Sequence, residues 1–321
     1  MVSLESLHAR RAVLIYNPVA RGLARRHDSL QRTIGALARQ DIKAELVPTT
    51  GPGSASLQVR KQIDAGCDLV LVAGGDGTVN EVANGMLHTD VPLGILPGGT
   101  ANVLAREMGL SMHADRAASR LRTMKVRNVA IGRMRSSDSG PRSFLCMAGA
   151  GLDADVVSRL NLDLKAAAGK LAYYLSGFAQ VLRYLPEFEV IVDGTSHAAS
   201  FALISRVRNY GGDLEIARGA SLLRDDFEVV LFRGTLAVQY VPYLLAVALK
   251  QVHRMSGCKI FRASSVTCKS AAGTPVLVQV DGELAGSLPF TAEAVPNALK
   301  LLVPAEYEKR EVSRAALRVC A

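Results

Sequence analysis

Residues 74–81 read GGDGTVNE and follow directly on the apolar run LVLVA. Glycine lacks a Cβ, so backbone amides there can close on a phosphate, and the first turn of a helix adds a partial positive charge. Gly74, Gly75 and Gly77 stand between that run and a helical pattern beginning near Val79, which meets both conditions. Asp76 would repel the same anion. A carboxylate beside phosphates holds a divalent cation, most often magnesium, or orients a nucleophile. The structural alternative makes Asp76 or Thr78 an N-cap in a tight strand-to-helix turn.

A second turn repeats the plan. In LGILPGGTANVLARE, Gly98 and Gly99 follow another apolar run, and Thr100 and Asn102 lead into another helical pattern. Two such turns on adjacent parallel strands open on one edge of a sheet, where doubly wound folds bind ligands. Together they outline a nucleotide site.

These turns need elements to hold them. From Arg11 to about Gly132 the β-rich runs AVLIYNP, IKAELVPT, DLVLVAGGDG and PLGILPGG alternate with helical stretches. That order implies parallel strands joined by crossovers in a layered α/β domain. Beyond it, RSFLCMAG, FEVIVDG, SFALISRV, FEVVLFRG, KIFRASSVTC and PVLVQVDGE read as strands, interrupted by helical patterns around Leu164–Leu185 and Gln239–Met255. A mostly antiparallel β domain is expected there. The Ser-Ser-Asp-Ser-Gly-Pro run at residues 136–141 marks the change, giving domains at 1–132 and 133–302, with about 303–321 packing back on the first.

With 321 residues, 49% hydrophobic and 21% charged, the chain is globular and long enough for two domains. Its five cysteines show no CxxC spacing and its six histidines no ligand pattern, which argues for reduced thiols in a cytoplasmic protein and against zinc. No apolar run reaches the ~20 residues that cross a bilayer. LAYYLSGFAQVL from Leu171 and YVPYLLAVAL from Tyr240 read as buried or interfacial helices. The net charge is +9, partly concentrated in Arg116, Arg120, Arg122, Lys125, Arg127, Arg133 and Arg135, with a smaller group at Arg21, Arg25 and Arg26. Such a face attracts phosphate or anionic lipid headgroups, or is simply solvated. Nucleic acid is disfavoured: tryptophan is absent, aromatic residues are 5%, and no recognition module is present.

GGDGTVNEVANG followed by GILPGGTANVLARE resembles the diacylglycerol kinase catalytic-domain family of lipid kinases, which also includes sphingosine and ceramide kinases. The resemblance covers nearly the whole chain. It takes in NPVARG at Asn17–Gly22, Thr49 ahead of Ala55, GAGLDA at Gly149–Ala154, YGGDLEIARGASL from Tyr210, and DGE at Asp281–Glu283. The GGDGT piece alone is shared with NAD kinases and is similar to a phosphofructokinase motif. The resemblance implies a three-layer α/β domain like those of NAD kinase and phosphofructokinase, and a mostly antiparallel β-sandwich domain for a lipid substrate. It places the nucleotide site in the cleft between them. ATP, Mg2+ and a lipid at a membrane surface are the implied partners of a cytoplasmic, peripherally associated protein.

By the same resemblance Gly74, Gly75, Asp76, Gly77, Thr78, Val79 and Asn80 hold the ATP phosphates, with Glu81 beside them. Asn17, Thr49, Gly99, Thr100 and Asn102 complete the nucleotide set. Glu283 is the implied base that takes the proton of a lipid hydroxyl, with Asp281 as its neighbour and Asp76 managing the magnesium. A structural magnesium of the family maps onto Asp225 and Asp226 in LLRDDFEV, where the glycine of the family's DDG turn is missing. VAIG likewise puts Ala130 where many relatives carry an aspartate.

Without the resemblance, Asp281-Gly282 is a hairpin signal, Glu81 a first-turn helix acid and Asp153 a helix cap. GAGLDA mimics a dinucleotide fingerprint, but that needs an acidic residue about 20 positions on, where the chain reads AAAGKLAYYL. Tyr173, Tyr174, Phe178 and Leu182 recur at helical spacing, as core or as an acyl-chain pocket. The expected activity is ATP-dependent phosphorylation of a lipid hydroxyl, diacylglycerol foremost. A sphingoid base, ceramide or phosphatidylglycerol are the other acceptors. An NAD kinase is disfavoured because its G-S-T-A-Y type motif is absent, and a non-catalytic lipid- or nucleotide-binding relative is the remaining alternative. An edge strand of the second domain could pair two copies into a homodimer.

Overall fold

The computed structural model describes residues 11–24, 28–136, 140–159, 184–211, 214–249, 251, 255, 257–270 and 275–319. The helical pattern with Tyr173, Tyr174, Phe178 and Leu182 lies outside them. The chain divides into two units. One comprises residues 1–131, 221–224 and 296–321, the other 132–220 and 225–295.

In the first unit β1 (Ala12–Tyr16), α1 (Arg21–Ala24), α2 (Ser29–Ala38), β2 (Ala44–Pro48), α3 (Ser54–Asp64), β3 (Leu69–Gly74), α4 (Asp76–Met86), β4 (Leu93–Pro97), α5 (Val103–Met108) and α6 (Ala114–Ala118) follow one another. The strands are parallel in the order β2-β1-β3-β4. β3 and β4 are buried at every position, because a parallel sheet is covered by helices on both faces. That is why LVLVAG is apolar throughout and does not alternate. α3 packs on α4 and α2 on α6, which supplies the two helix layers. The register sets Tyr16 beside both Pro48 and Ala73, and Gly74 beside Pro97, so the strands end level. Asn17, Thr49, Gly75 and Gly98 therefore leave the sheet along one edge.

β5 (Met124–Ser136) carries the chain into the second unit. There follow β6 (Arg142–Phe144), β7 (Met147–Gly151), α7 (Leu152–Arg159), β8 (Phe188–Val192), β9 (Thr195–Ala199), β10 (Phe201–Ser205), β11 (Asn209–Tyr210), β12 (Leu214–Glu215), β13 (Phe227–Phe232), α8 (Val241–Ala248), β14 (Cys258–Ala263), β15 (Ser265–Ser270), β16 (Leu277–Val280), β17 (Glu283–Ser287) and β18 (Phe290–Pro304). One antiparallel sheet runs β14-β13-β10-β7-β16-β17. The N-terminal part of β18 forms a second with β15, β8 and β9. Phe144, Phe188, Ile204, Phe227, Val278 and Phe290 belong to the core they share.

The helix expected over Gln239–Met255 is shorter. α8 has 8 residues, with Pro242 in its first turn, where a missing amide costs nothing. It buries Tyr243 and Val247 and leaves Leu245 and Leu249 exposed. Among the described residues no helix is long and apolar enough to cross a membrane.

The C-terminal part of β18 returns to the first unit, pairing parallel to β4 with Leu301 beside Leu93. α9 (Ala305–Val319) then docks through charges. Glu306 pairs with Arg120, and Glu308 with Arg127 and with Lys125 at 3.1 Å. Arg310 donates to the Glu107 carbonyl at 2.6 Å, and the buried Tyr307 hydroxyl accepts the Leu222 amide at 3.1 Å. The basic run thus spends several of its charges on ion pairs within the chain, most of them at its surface. Arg122 meets Asp41 at 3.6 Å, and Arg135 meets Glu293 at 3.5 Å.

Candidate nucleotide and phosphoryl-transfer residues

α4 begins at Asp76, earlier than the sequence pattern implies, with extended Gly75 in the N-cap position and Gly77 inside the first turn. First-turn amides have no acceptor within their own helix. Those of Gly75, Gly77 and Thr78 have no protein acceptor at all among the described residues. Three donors at the positive end of a helix make a cradle for phosphate oxygens.

The glycines also answer to packing within the protein. A Cβ on Gly74 would lie 2.7 Å from that of Thr78, and one on Gly99 would lie 2.4 Å from Gly75 Cα. The two turns therefore touch backbone to backbone. Gly98 donates to the Gly74 carbonyl and Gly22 to the Gly98 carbonyl, each at 2.8 Å. Asn17 Nδ2 reaches Thr78 Oγ1 at 3.4 Å.

Several expected nucleotide residues hold the turns. Asp76 Oδ1 accepts the Val103 amide at 2.7 Å, and its carboxylate also receives the amides of Asn102 and Leu104. It caps α5, the helix of the second turn. Burial pushes the Asp76 pKa up, and those amides pull against it. Glu81 serves α3 in the same way, accepting the amides of Gly53 at 2.8 Å and Ala55 at 3.2 Å. Asn102, at φ 48°, accepts the Gly99 amide at 2.9 Å and donates to the Gly99 carbonyl at 3.0 Å, closing the second turn. Asn80 accepts from Asn84 at 2.8 Å on its own helix, and Val79 is core. Thr49 is half-buried and Thr100 exposed at the same sheet edge.

In the second unit, Asp281 and Gly282 form the two-residue turn between β16 and β17, with φ of 47° and 86°. Asp-Gly is the favoured pair for such a turn. The Asp281 carboxylate accepts three successive amides, from Leu145 and Cys146 at 2.9 Å and Met147 at 2.8 Å. It anchors the hairpin to the start of β7. Glu283, two residues on, is exposed, and its carboxylate has no partner among the described residues.

Asp226 pairs with Arg262 at 2.6 Å, and Asp225 is exposed. Asp76 is committed to α5. Among the described residues no three His, Cys, Asp or Glu side chains form a metal group. These side chains alone do not make a magnesium cage, and a cation arriving with a nucleotide draws most of its ligands from phosphates and water. Asp153, a residue of the interdomain cleft by the resemblance and a helix cap without it, is fully buried in the first turn of α7 and bonded to Gln279 and Tyr210. No local spacing marks those two partners.

The chain thus joins a parallel α/β unit that carries paired glycine turns to an antiparallel sandwich with an exposed carboxylate at a hairpin, a two-domain α/β class. The diacylglycerol kinase catalytic domain matches residues 11–134, and the YegS C-terminal NAD kinase beta sandwich-like domain matches residues 146–303. The chain belongs to the diacylglycerol kinase catalytic-domain family of lipid kinases. It is 29% identical over 247 residues to a diacylglycerol kinase of Mycobacterium tuberculosis, covering 74% of this chain and 78% of that one. It is 26% identical over 304 residues to a diacylglycerol kinase of Bacillus subtilis, covering 92% and 97%. A crystal structure of a diacylglycerol kinase from Bacillus anthracis shares the fold, with a TM-score of 0.73 at 22% identity over 92% of this chain and 98% of that one.

Proposed function

We propose that the protein transfers the γ-phosphate of ATP to the hydroxyl of diacylglycerol, giving phosphatidic acid. The observation that carries this reading is the first turn of α4, where the amides of Gly75, Gly77 and Thr78 are open to phosphate oxygens. Thr49 and Thr100 are the hydroxyl residues of the same edge that receive the rest of the nucleotide. Glu283 accepts the proton, since its carboxylate is exposed and has no partner among the described residues. In the step, the lipid oxygen bonds to the γ-phosphorus as the bond from phosphorus to the β–γ bridging oxygen breaks. The hydroxyl proton passes to Glu283, and ADP leaves. Magnesium bound with the nucleotide neutralises phosphate charge.

The choice of diacylglycerol is supported by the names of the mycobacterial and Bacillus relatives. The lipid is met at a membrane surface, with exposed Leu245 and Leu249 of the second unit for apolar contact. The test is transfer of labelled γ-phosphate from ATP and magnesium to a panel of micellar lipids, with NAD and a no-lipid blank. Label is expected on diacylglycerol. Label on a sphingoid base, ceramide or phosphatidylglycerol would replace the acceptor and keep the reaction. Label on NAD alone, or nowhere, would overturn the reading.

A further inference from the structure

Asp153 is fully buried, and neither the glycine turns nor Glu283 uses it directly. It lies in the first turn of α7, which packs on β7, β10, β16 and β17. Its Oδ2 accepts the side-chain amide of Gln279 at 2.6 Å, and Tyr210 adds a second hydrogen bond. Gln279 Oε1 in turn accepts the amide of Gly282 at 2.8 Å. Gly282 is the left-handed joint of the hairpin and the residue directly before Glu283. The other oxygen of Asp153 is buried with no hydrogen-bond partner among the described residues. Room for the carboxylate depends on Gly149, where a Cβ would lie 1.6 Å from Asp153 Oδ2. A buried acid with an unmatched oxygen costs stability, and such groups cluster where a reaction uses them.

We propose that Asp153 and Gln279 are positioning residues that fix the direction of Glu283 through the amide of Gly282. The inference rests on Glu283 being the proton acceptor. Gln279 satisfies both neighbours in one orientation, with its NH2 toward the carboxylate and its carbonyl toward Gly282. A neutral residue at 153 permits the flipped amide and releases the turn. Asp281 ties the turn to the amides of Leu145, Cys146 and Met147, and Gln279 ties Gly282 of the same turn to β16.

Few charges surround Asp153. Among the described side chains, β7, β10 and β16 carry none, β17 contributes Glu283, α7 itself carries Asp155, and Tyr210 comes from β11. Burial raises the Asp153 pKa to about 6, against the hydrogen bonds of Tyr210 and Gln279. Turnover is therefore expected to fall as Asp153 takes up its proton and loosens its hold on Gln279.

Wild-type protein is first assayed with labelled ATP, magnesium and diacylglycerol in mixed micelles, so failure of the lipid-kinase reading shows before any variant is compared. Gln279→Met, which keeps volume and removes both hydrogen bonds, is expected to lower kcat about tenfold or more while KM for ATP stays within about twofold. Adding Asp153→Asn to it should cost little more, because the two act in series. Tyr210→Phe removes a bond that favours the charged form, so the acid limb of kcat should move to higher pH. Near wild-type kcat in Gln279→Met, with Glu283→Gln inactive, would overturn the inference and leave the kinase reading standing. Multiplying effects of the two substitutions, or an unmoved acid limb in Tyr210→Phe, would overturn it as well. The Tyr210→Phe profile decides the matter if Gln279→Met does not fold.

Discussion

Asp76 Oδ1 sits 2.7 Å from the amide of Val103, so the first residue of α4 caps the helix that opens the other glycine turn. The carboxylate of the GGDG motif thereby couples the two turns. Its negative charge is spent on helix amides, which explains how an acid can stand beside a phosphate cradle without emptying it.

Asp76→Ala should cost about 1–2 kcal/mol of stability, because the amides at the start of α5 lose their acceptor. Phosphoryl transfer should be lost along with it. Asp76→Asn keeps an acceptor oxygen and should recover most of the stability. Urea unfolding of both variants checks this, and equal loss in both would rule out capping as the role of the carboxylate.

Glu283→Gln should leave the unfolding midpoint where it is, since the side chain is exposed and bonded to nothing among the described residues. Its kcat should fall by about 10²–10⁴, the usual worth of a positioned base. Steady-state kinetics at saturating ATP, beside a thermal melt, separates the two effects.

Gly99→Ala should disturb both turns, because the new methyl meets the backbone of Gly75, which cannot swing away. A loss of about 1–3 kcal/mol is expected from such overpacking. ATP binding by calorimetry should weaken at least tenfold. Unchanged binding would mean that the turns are less tightly joined than the 2.4 Å approach implies.

Asp153 predicts an unusual pH dependence of stability. Its pKa is raised on folding, from 3.8 to about 6, so the native state holds its proton more tightly than the unfolded chain. Its contribution favours folding below pH 4 and is lost as pH climbs through 6, on the order of 2–3 kcal/mol. Denaturant titrations at pH 5 and pH 7.5 should show a fall in wild type that Asp153→Asn lacks. Identical pH slopes in the two proteins would rule out a buried, titrating carboxyl.

Much of this could be read from the sequence. LVLVA is apolar at every position because β3 is covered on both faces, and level strand ends put both glycine turns on one edge. Asp-Gly at 281–282 announced its hairpin. What escaped reading are bonds between residues far apart in the chain. Asp76 to Val103 spans 27 positions, Glu81 to Gly53 28, and Asp153 to Gln279 126. Spacing carries information about faces of one helix or strand, and these pairs join different elements. The ion pairs of the basic run escaped reading for the same reason, since Glu306 and Glu308 of α9 meet Arg120, Lys125 and Arg127 from the far end of the chain.

That late arrival bears on how the protein is made. β4 finds its neighbour in β18, and α9 sets Tyr307 against the Leu222 amide only after all of the sandwich has been translated. A ribosome therefore releases a second unit with its strands already emerged before the first unit can close. During that interval the flank of β4 is an open strand edge, and a nascent chain in that state is the form most in need of a chaperone.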